Sequence, residues 1–159
     1  MKVEIRKSDF CCPISLTNFK YLYFEFHFIN MIKVYVTKQG NYPIKSAEIK
    51  RKLSKFFLEH GIVSNAEVSV AVVGEKRMTE VGDKFLHDGK LHNVLSFVPN
   101  EEKGNFVYPP GSLISLGEII VCYPEAVREA IFENKLVQNK VYELIEHGAM
   151  HLMGINHRE

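Results

Sequence analysis

The sequence predicts a single α+β domain in which helices pack on one mixed β-sheet. Its 159 residues are 46% hydrophobic and 25% charged, which is ordinary for one soluble globular domain. Apolar residues recur at helical spacing in some segments and alternate in others, so both helices and strands are expected. Because the predicted helices interleave with a run of strands, a mixed sheet covered by helices is the favoured architecture.

The predicted elements begin at Met31, which opens a short alternating segment typical of a first strand. Ser46 is expected to cap a helix that ends near Gly61, since apolar residues recur at i, i+4, i+7 and i+8 from Ile49. Residues 100–115 are rich in turn formers and form a long loop, a length usually associated with function. The other predicted elements are strands at residues 68–73, 92–98 and 116–122, and helices at residues 75–85, from Pro124 to about Asn134, and at residues 137–153.

Residues 1–30 differ in character from the rest of the chain. Six aromatic residues lie between Phe19 and Phe28, with no helical period and only a rough alternation. One interpretation is an added strand that covers a hydrophobic surface, and the other is translated upstream sequence before an initiator at Met31. We favour the second, because an exposed aromatic strand promotes aggregation. The predicted organisation is an N-terminal extension at residues 1–30 and a functional domain at residues 31–159.

The charge and cysteine content exclude several classes of protein. Twenty basic against nineteen acidic residues give a net charge of +1, which excludes a nucleic-acid binder acting by bulk charge but leaves a local basic patch open. Three cysteines, two of them adjacent, are poor material for disulfides, so a reducing, cytoplasmic location is predicted. The most apolar run contains Glu25 and His27 and is too short to span a bilayer, so no membrane association is expected.

The candidate chemistry lies at the C-terminus, where three histidines recur at short spacing. His147 and His151 are four residues apart, so on a helix both imidazoles project from one face. Gly154 can end the helix in a left-handed conformation and turn the chain so that His157 approaches the other two. Three imidazoles with an open fourth position are typical of a catalytic zinc site. We therefore predict one Zn²⁺ per chain, bound by these three residues.

The same spacing occurs in metzincin proteases, but those require a glutamate directly after the first histidine as general base. Here that position is Gly148, so a peptidase would lack its base. Glu143 and Glu146 flank the site and are interpreted as solvated helix residues. Histidines outside the triple are interpreted as ordinary surface or core residues; these are His27, His60, His87 and His92.

Residues 147–157 read H-G-A-M-H-L-M-G-I-N-H. This segment resembles the signature H-G-x-x-H-L-x-G-x-x-H of the YbeY family of bacterial metal-dependent endoribonucleases. Residues 93–97 (N-V-L-S-F) and 116–122 (L-G-E-I-I-V-C) resemble two strands of the same family in the same order, so the resemblance covers residues 31–159. It implies a single α+β domain, zinc on the three histidines, and hydrolysis of single-stranded precursor rRNA during ribosome biogenesis, with ribosomal subunit proteins as further partners.

The sequence departs from the family where an arginine is expected before the N-V-L-S-F strand, since Leu86 occupies that position. Lys84 is a nearby cation and is a candidate for substrate binding, although lysine lacks the bidentate phosphate contact of arginine. Ser96 is a second candidate, as a hydrogen-bond donor to the substrate. We therefore expect slow, metal-dependent RNA cleavage. Two alternatives stay open: a metal-dependent hydrolase of a non-RNA substrate, and a non-catalytic zinc-binding ribosome-assembly factor.

Overall fold

The structure is a computed structural model that describes residues 32–99 and 112–155. The predicted α+β class is confirmed, with one mixed sheet and helices packed on it. The predictions for residues 1–30 and for most of the loop at residues 100–115 lie outside the described residues. The described elements are β1 (Ile32–Lys38), α1 (Ser46–Glu59), β2 (Ala66–Val73), α2 (Glu75–Phe85), β3 (Val94–Phe97), β4 (Ile114–Cys122), α3 (Tyr123–Phe132) and α4 (Val137–Leu152).

The sheet has the strand order β1-β2-β4-β3. β1 and β4 both run parallel to β2, whereas β3 runs antiparallel to β4 and lies at the edge. One irregularity interrupts the pairing of β2 with β4, where Glu67 pairs with Ser115 and Val68 pairs with Gly117. Leu116 is therefore the extra residue of a β-bulge. The bulge lies at the end of the sheet that also holds the end of β3, because Phe97 pairs with Glu118.

Helices cover both faces of the sheet. On one face α1 and α4, with α3, bury the larger apolar cluster, whose strand members include Val34, Val70, Ile119 and Val121. On the other face α2 covers a smaller cluster made by Met78, Val81, Val73, Leu95, Ile120 and Cys122. Alternation along β3 and β4 divides their side chains between these clusters, as the pleat of a strand requires. The faces are called here the α4 face and the α2 face. No helix within the two described ranges is long and apolar enough to cross a membrane.

Several predicted boundaries need correction. Ser46 is the first residue of α1 and not its cap, because Lys45 precedes the helix and its carbonyl accepts the first backbone hydrogen bonds. β4 begins at Ile114, two residues earlier than predicted, because the Ile114 N–H donates to the carbonyl of Asn65 next to β2. β3 is limited to four residues by its pairing with residues 118–121 of β4. The predicted end of α1 near Gly61 is confirmed, since Gly61 follows the helix with a φ of +87°.

Candidate metal centre

The absence of a side chain at Gly148 lets α4 lie close to the sheet. A Cβ atom built at this position would lie 2.8 Å from Cγ2 of Ile119 on β4 and 3.4 Å from Cγ2 of Val94 on β3. Because carbon atoms in contact are normally about 3.5–4.0 Å apart, alanine does not fit without a shift of the helix. The glycine after His147 is therefore required for packing, and residue 148 faces the sheet.

Gly117 makes a second close approach, at the bulge of β4. Its φ of +129° is favourable only for glycine, and a Cβ atom there would collide with the carbonyl oxygen of Phe97 and lie 2.9 Å from Cδ2 of Leu152. Leu152 is the last residue of α4, and Phe97 is the last residue of β3. The ends of the helix and of the edge strand are thus held against the same point of the sheet.

His147 and His151 come together on the exposed side of α4, as their spacing predicts. Their Nε2 atoms are 3.0 Å apart, and their rings are nearly perpendicular, with centroids 4.5 Å apart. Two nitrogen ligands of a tetrahedral zinc, each at about 2.1 Å, lie about 3.4 Å apart. A shift of a few tenths of an ångström would therefore let both nitrogens bind one ion. The pair fits two of the three predicted ligands.

The end of α4 confirms that Gly154 ends the helix in a left-handed conformation. Its φ is +70°, its N–H donates to the carbonyl of His151 at 3.0 Å, and the N–H of Ile155 donates to the carbonyl of Met150 at 3.0 Å. These two bonds define a Schellman motif, which ends a helix with a left-handed residue. His157, the third predicted ligand, lies outside the described residues. Within residues 32–99 and 112–155, no group of three or more His, Cys, Asp or Glu side chains is placed to hold a metal ion.

A cleft of about 400 Å³ adjoins His147 and is lined by polar side chains from α3, α4 and the start of β3. Lys140 in its lining is only 5% exposed, and its ammonium contacts carboxylates of Glu133 at 2.6 Å and Glu129 at 3.1 Å. Asn93 donates from Nδ2 to Glu129 at 2.8 Å, which connects β3 to the two helices. The Lys140 network therefore fixes the wall of the cleft beside the histidine pair.

The charges in this network stabilise one another. Burial by itself lowers the pKa of Lys140, but the hydrogen bonds to Glu133 and Glu129 outweigh it and raise the pKa above its usual value. The pKa of Glu133 is lowered by hydrogen bonds from Lys135 and Lys140. Glu143 and Glu146 also line the cleft. The lining of the cleft holds one ammonium, that of Lys140, and three carboxylates, so the cleft is acidic and disfavours the phosphates of RNA.

The structure separates the two side chains that the sequence proposed for substrate binding. Ser96 lies opposite Ile119 and alternates with Leu95 and Phe97, which places it on the α4 face with the histidine helix. Lys84 lies on α2, on the other face of the sheet, where its Nζ atom is 5.3 Å from the ring centroid of Phe85. The structure thus brings Ser96, but not Lys84, to the face that carries the histidine pair.

The comparisons with known proteins decide the family. A family model described as Endoribonuclease YbeY matches residues 35–159. The chain belongs to this family. The Endoribonuclease YbeY of Acinetobacter baumannii is 28% identical over 134 residues, which cover 79% of this chain and 82% of that relative. The Endoribonuclease YbeY of Bartonella quintana is 32% identical over 116 residues, which cover 73% of this chain and 69% of that relative.

A solved structure supports the same assignment. The solution structure of TM1509 from Thermotoga maritima has a TM-score of 0.51 and 25% sequence identity, over 79% of this chain and 75% of that one. Membership in the YbeY family makes the chain a metal-dependent endoribonuclease, a hydrolase that cuts RNA within the strand. The predicted family resemblance is therefore confirmed.

Proposed function

We propose that the chain is a zinc-dependent endoribonuclease that cuts single-stranded RNA during rRNA maturation, with the ion held by His147, His151 and His157. The observation that supports this most is the 3.0 Å separation of the two Nε2 atoms on one side of α4. Gly154 ends the helix three residues before the third histidine, in the conformation that reverses the chain. This turn is what a third ligand from the same segment requires.

The exposed site is suited to a large polymeric substrate. A divalent ion held there would stabilise negative charge on a phosphate oxygen and lower the pKa of a water molecule. Ser96, on the same face of the sheet, is proposed to donate a hydrogen bond to the RNA. Because Gly148 faces the sheet, no side chain at that position can act on the substrate.

The proposal is tested by metal analysis coupled to RNA cleavage. Wild-type protein should carry about one zinc per chain, and His147→Ala and His151→Ala should lose both zinc and cleavage of single-stranded RNA, since two ligands rarely retain the ion. His60→Ala is the matched control, because His60 is an exposed histidine whose Nδ1 contacts the carbonyl of Phe56 at 2.8 Å. Zinc below about 0.1 per chain would contradict the ligand assignment. Equal cleavage by wild type and His147→Ala would contradict the mechanism, and equal cleavage of duplex RNA would contradict the strand preference.

The side chain at position 86 should limit the rate of cleavage. Leu86 is 47% exposed and stands where the family resemblance places an arginine. An aliphatic side chain cannot donate to a phosphate, whereas arginine does so with two parallel bonds. Leu86→Arg should therefore increase kcat/KM for single-stranded RNA. Val63→Arg adds the same charge at another exposed site and is the control; an equal increase in both variants would show a general charge effect and contradict this prediction.

A further inference from the structure

A groove of about 530 Å³ lies on the α2 face, between α2 and strands β2, β3 and β4. Its apolar floor is formed by side chains that include Ala71, Val81 and Ile120. The volume is within the range of about 300–1,000 Å³ that is usual for small-ligand sites. The groove takes no part in the metal centre described above, which lies on the other face of the sheet. It is therefore a separate candidate for ligand binding.

Two phenylalanines form one wall of the groove. Phe85 is 55% exposed, and its ring centroid lies 4.8 Å from that of Phe97 at an angle of 50°. A single exposed phenylalanine is common in soluble proteins, but here two neighbouring aromatic rings line one concave site. Proteins that bind single-stranded RNA stack its unpaired bases on aromatic rings of this kind. The exposed ring thus offers a surface for one base.

Charged side chains in the groove lining can contact the phosphate and the polar edge of a nucleotide. Arg77 and Lys84 line the groove, and both side chains are exposed. Arg77 contacts Glu80 at 3.2 Å, but an exposed pair of this kind is weak, so the guanidinium can turn to a phosphate. The contact of Lys84 with the Phe85 ring is likewise an exposed cation–π contact and easily displaced. The carboxylate of Glu118, also in the lining, can accept a hydrogen bond from the amino group of a base.

The groove can be reached from the metal centre around the edge of the sheet. Ser96 and Phe97 are neighbours on β3 and point to opposite faces, so they connect the α4 face with the groove. The contacts of Gly117 hold the end of β3 beside Leu152 at the end of the histidine helix. On the other side of the histidine pair lies the acidic cleft, which disfavours RNA. The groove lining holds two cations and two carboxylates, whereas the cleft lining holds one ammonium and three carboxylates, so the groove opposes the phosphates of RNA less than the cleft does.

We propose that this groove binds one unpaired nucleotide of the RNA substrate, with the base stacked on Phe85 and the phosphate held by Lys84 and Arg77. The identity of the ligand rests on the proposed function, whereas the location rests on the groove itself. The groove is thus a second contact for RNA, away from the bond that is cut. RNA long enough to occupy both sites should bind more tightly than RNA that reaches only one.

The chain contains no tryptophan, so a single introduced tryptophan reports directly on stacking. Phe85→Trp should show fluorescence quenching when cleavage-resistant single-stranded RNA is added to the zinc-loaded full chain. Phe132→Trp is the matched control, because Phe132 is 92% exposed on α3 and should not be quenched. Oligonucleotides of about 4 to 16 nucleotides, the usual span of single-strand sites, should bind more tightly as their length increases. Equal quenching in the two variants would overturn the proposal.

Affinity measurements separate the groove from the metal centre. Phe85→Ala should weaken binding of a long single strand by about 5- to 150-fold, the range expected for one lost base stack. Phe85→Leu keeps the apolar volume and should show a similar loss if the aromatic face is what binds. Lys84→Gln should reduce the slope of log affinity against log salt by about 0.7, as one lost phosphate contact predicts. Lys50→Gln, an exposed lysine on α1, should leave that slope unchanged.

The possible failures are distinguishable. If wild-type protein cleaves RNA through His147 but Phe85→Ala binds RNA as the wild type does, the groove proposal is overturned and the proposed function stands. If wild-type protein binds RNA through Phe85 but does not cleave it, the proposed function fails and the groove proposal stands. If wild-type protein does not bind single-stranded RNA, both are overturned. Quenching of Phe85→Trp by a ribosomal protein alone, without any response to RNA, would also overturn the assignment of the groove to a nucleotide.

Discussion

Replacing Gly148 with alanine tests the contact that positions the histidine helix. The added Cβ atom would lie 2.8 Å from Cγ2 of Ile119, about 1 Å closer than a normal carbon contact, so α4 must move outward. Overpacking of this kind costs about 1–3 kcal/mol. Alanine in a helix interior is more favourable than glycine by about 1 kcal/mol. We therefore expect the free energy of unfolding to fall by about 0–2 kcal/mol, and zinc affinity to fall as the histidines move.

A double-mutant cycle isolates the steric part of this effect. Ile119→Ala removes the colliding Cγ2 atom of a fully buried side chain and should cost about 2–5 kcal/mol alone. In the double variant the new Cβ atom has room, so its loss of stability should be smaller than the sum of the single losses by about 1–3 kcal/mol. Ile119→Val keeps the Cγ2 atom and should show almost no coupling with Gly148→Ala.

The assay is denaturant unfolding with linear extrapolation of the free energy, on the zinc-loaded protein. Zinc content and RNA cleavage are measured on the same preparations. An increase of about 1 kcal/mol in the stability of Gly148→Ala, as helix propensity alone requires, would refute the close packing. Zero coupling between Gly148→Ala and Ile119→Ala would refute it as well.

Four further predictions follow from the packing and charges of the described residues. Gly117→Ala should lower the free energy of unfolding by about 3 kcal/mol or more, because a strained φ adds to a collision with backbone. Gly61→Ala, at a φ of +87° but in open space, should lower it by only about 1 kcal/mol. Denaturant unfolding of the two variants measures the difference. Lys140→Ala should lower the free energy of unfolding by about 2–3 kcal/mol in the same assay. This loss is smaller than the loss on breaking a fully buried ion pair, because the carboxylate partners of Lys140 are partly exposed. The pKa of Glu133 lies below its ordinary 4.5, because Lys135 and Lys140 donate hydrogen bonds to its carboxylate. The charged carboxylate therefore stabilises the folded protein above pH 4.5, and this contribution is lost as the pH falls through the lowered pKa. Thermal unfolding measured against pH should show that acid lowers the stability of Lys140→Ala less than that of the wild type. Burial raises the pKa of Cys122 to about 11, so alkylation of this thiol at pH 8 should occur only on unfolding. Peptide mapping distinguishes Cys122 from the other two cysteines, and rapid labelling of Cys122 itself in the native protein would contradict its burial.

The elements with a clear period could be predicted from the sequence, and their ends could not. The helix over Ser46–Glu59 could be predicted because the spacing of its apolar residues depends only on neighbouring positions in the sequence. The start of β4 at Ile114 depends on a hydrogen bond to Asn65, which is far away in sequence and becomes a partner only when the sheet forms. The short length of β3 depends in the same way on where β4 pairs with it. Strand boundaries are tertiary properties, and composition alone does not contain them.

The histidine pair could be predicted because both residues lie on one helix, where a spacing of four fixes their relation. The Lys140 network could not, since Lys140 lies on α4, Glu129 on α3 and Asn93 just before β3, with no common spacing. A lysine at the buried register of an amphipathic helix was the available signal, because a buried ammonium requires carboxylate partners. Lys84 was predicted as a substrate contact from its closeness in sequence to Leu86, and the sequence could not show that α2 packs on the face opposite to the histidine pair.

The packing at Gly148 also bears on the choice between nuclease and protease chemistry. The histidine spacing alone is compatible with a metzincin-like site that lacks its glutamate. On that interpretation, a glutamate at position 148 would supply the missing general base. In the structure residue 148 points at Ile119, so a glutamate there would place its carboxylate in the apolar core, at a cost of several kcal/mol. Gly148→Glu should therefore lose zinc and stability without gaining peptidase activity. A protease-like geometry would require α4 to turn about its axis, which the burial of Ile145 and Ala149 opposes. The glycine after the first histidine is thus a condition for the helix to pack, and the base for RNA cleavage must come from elsewhere.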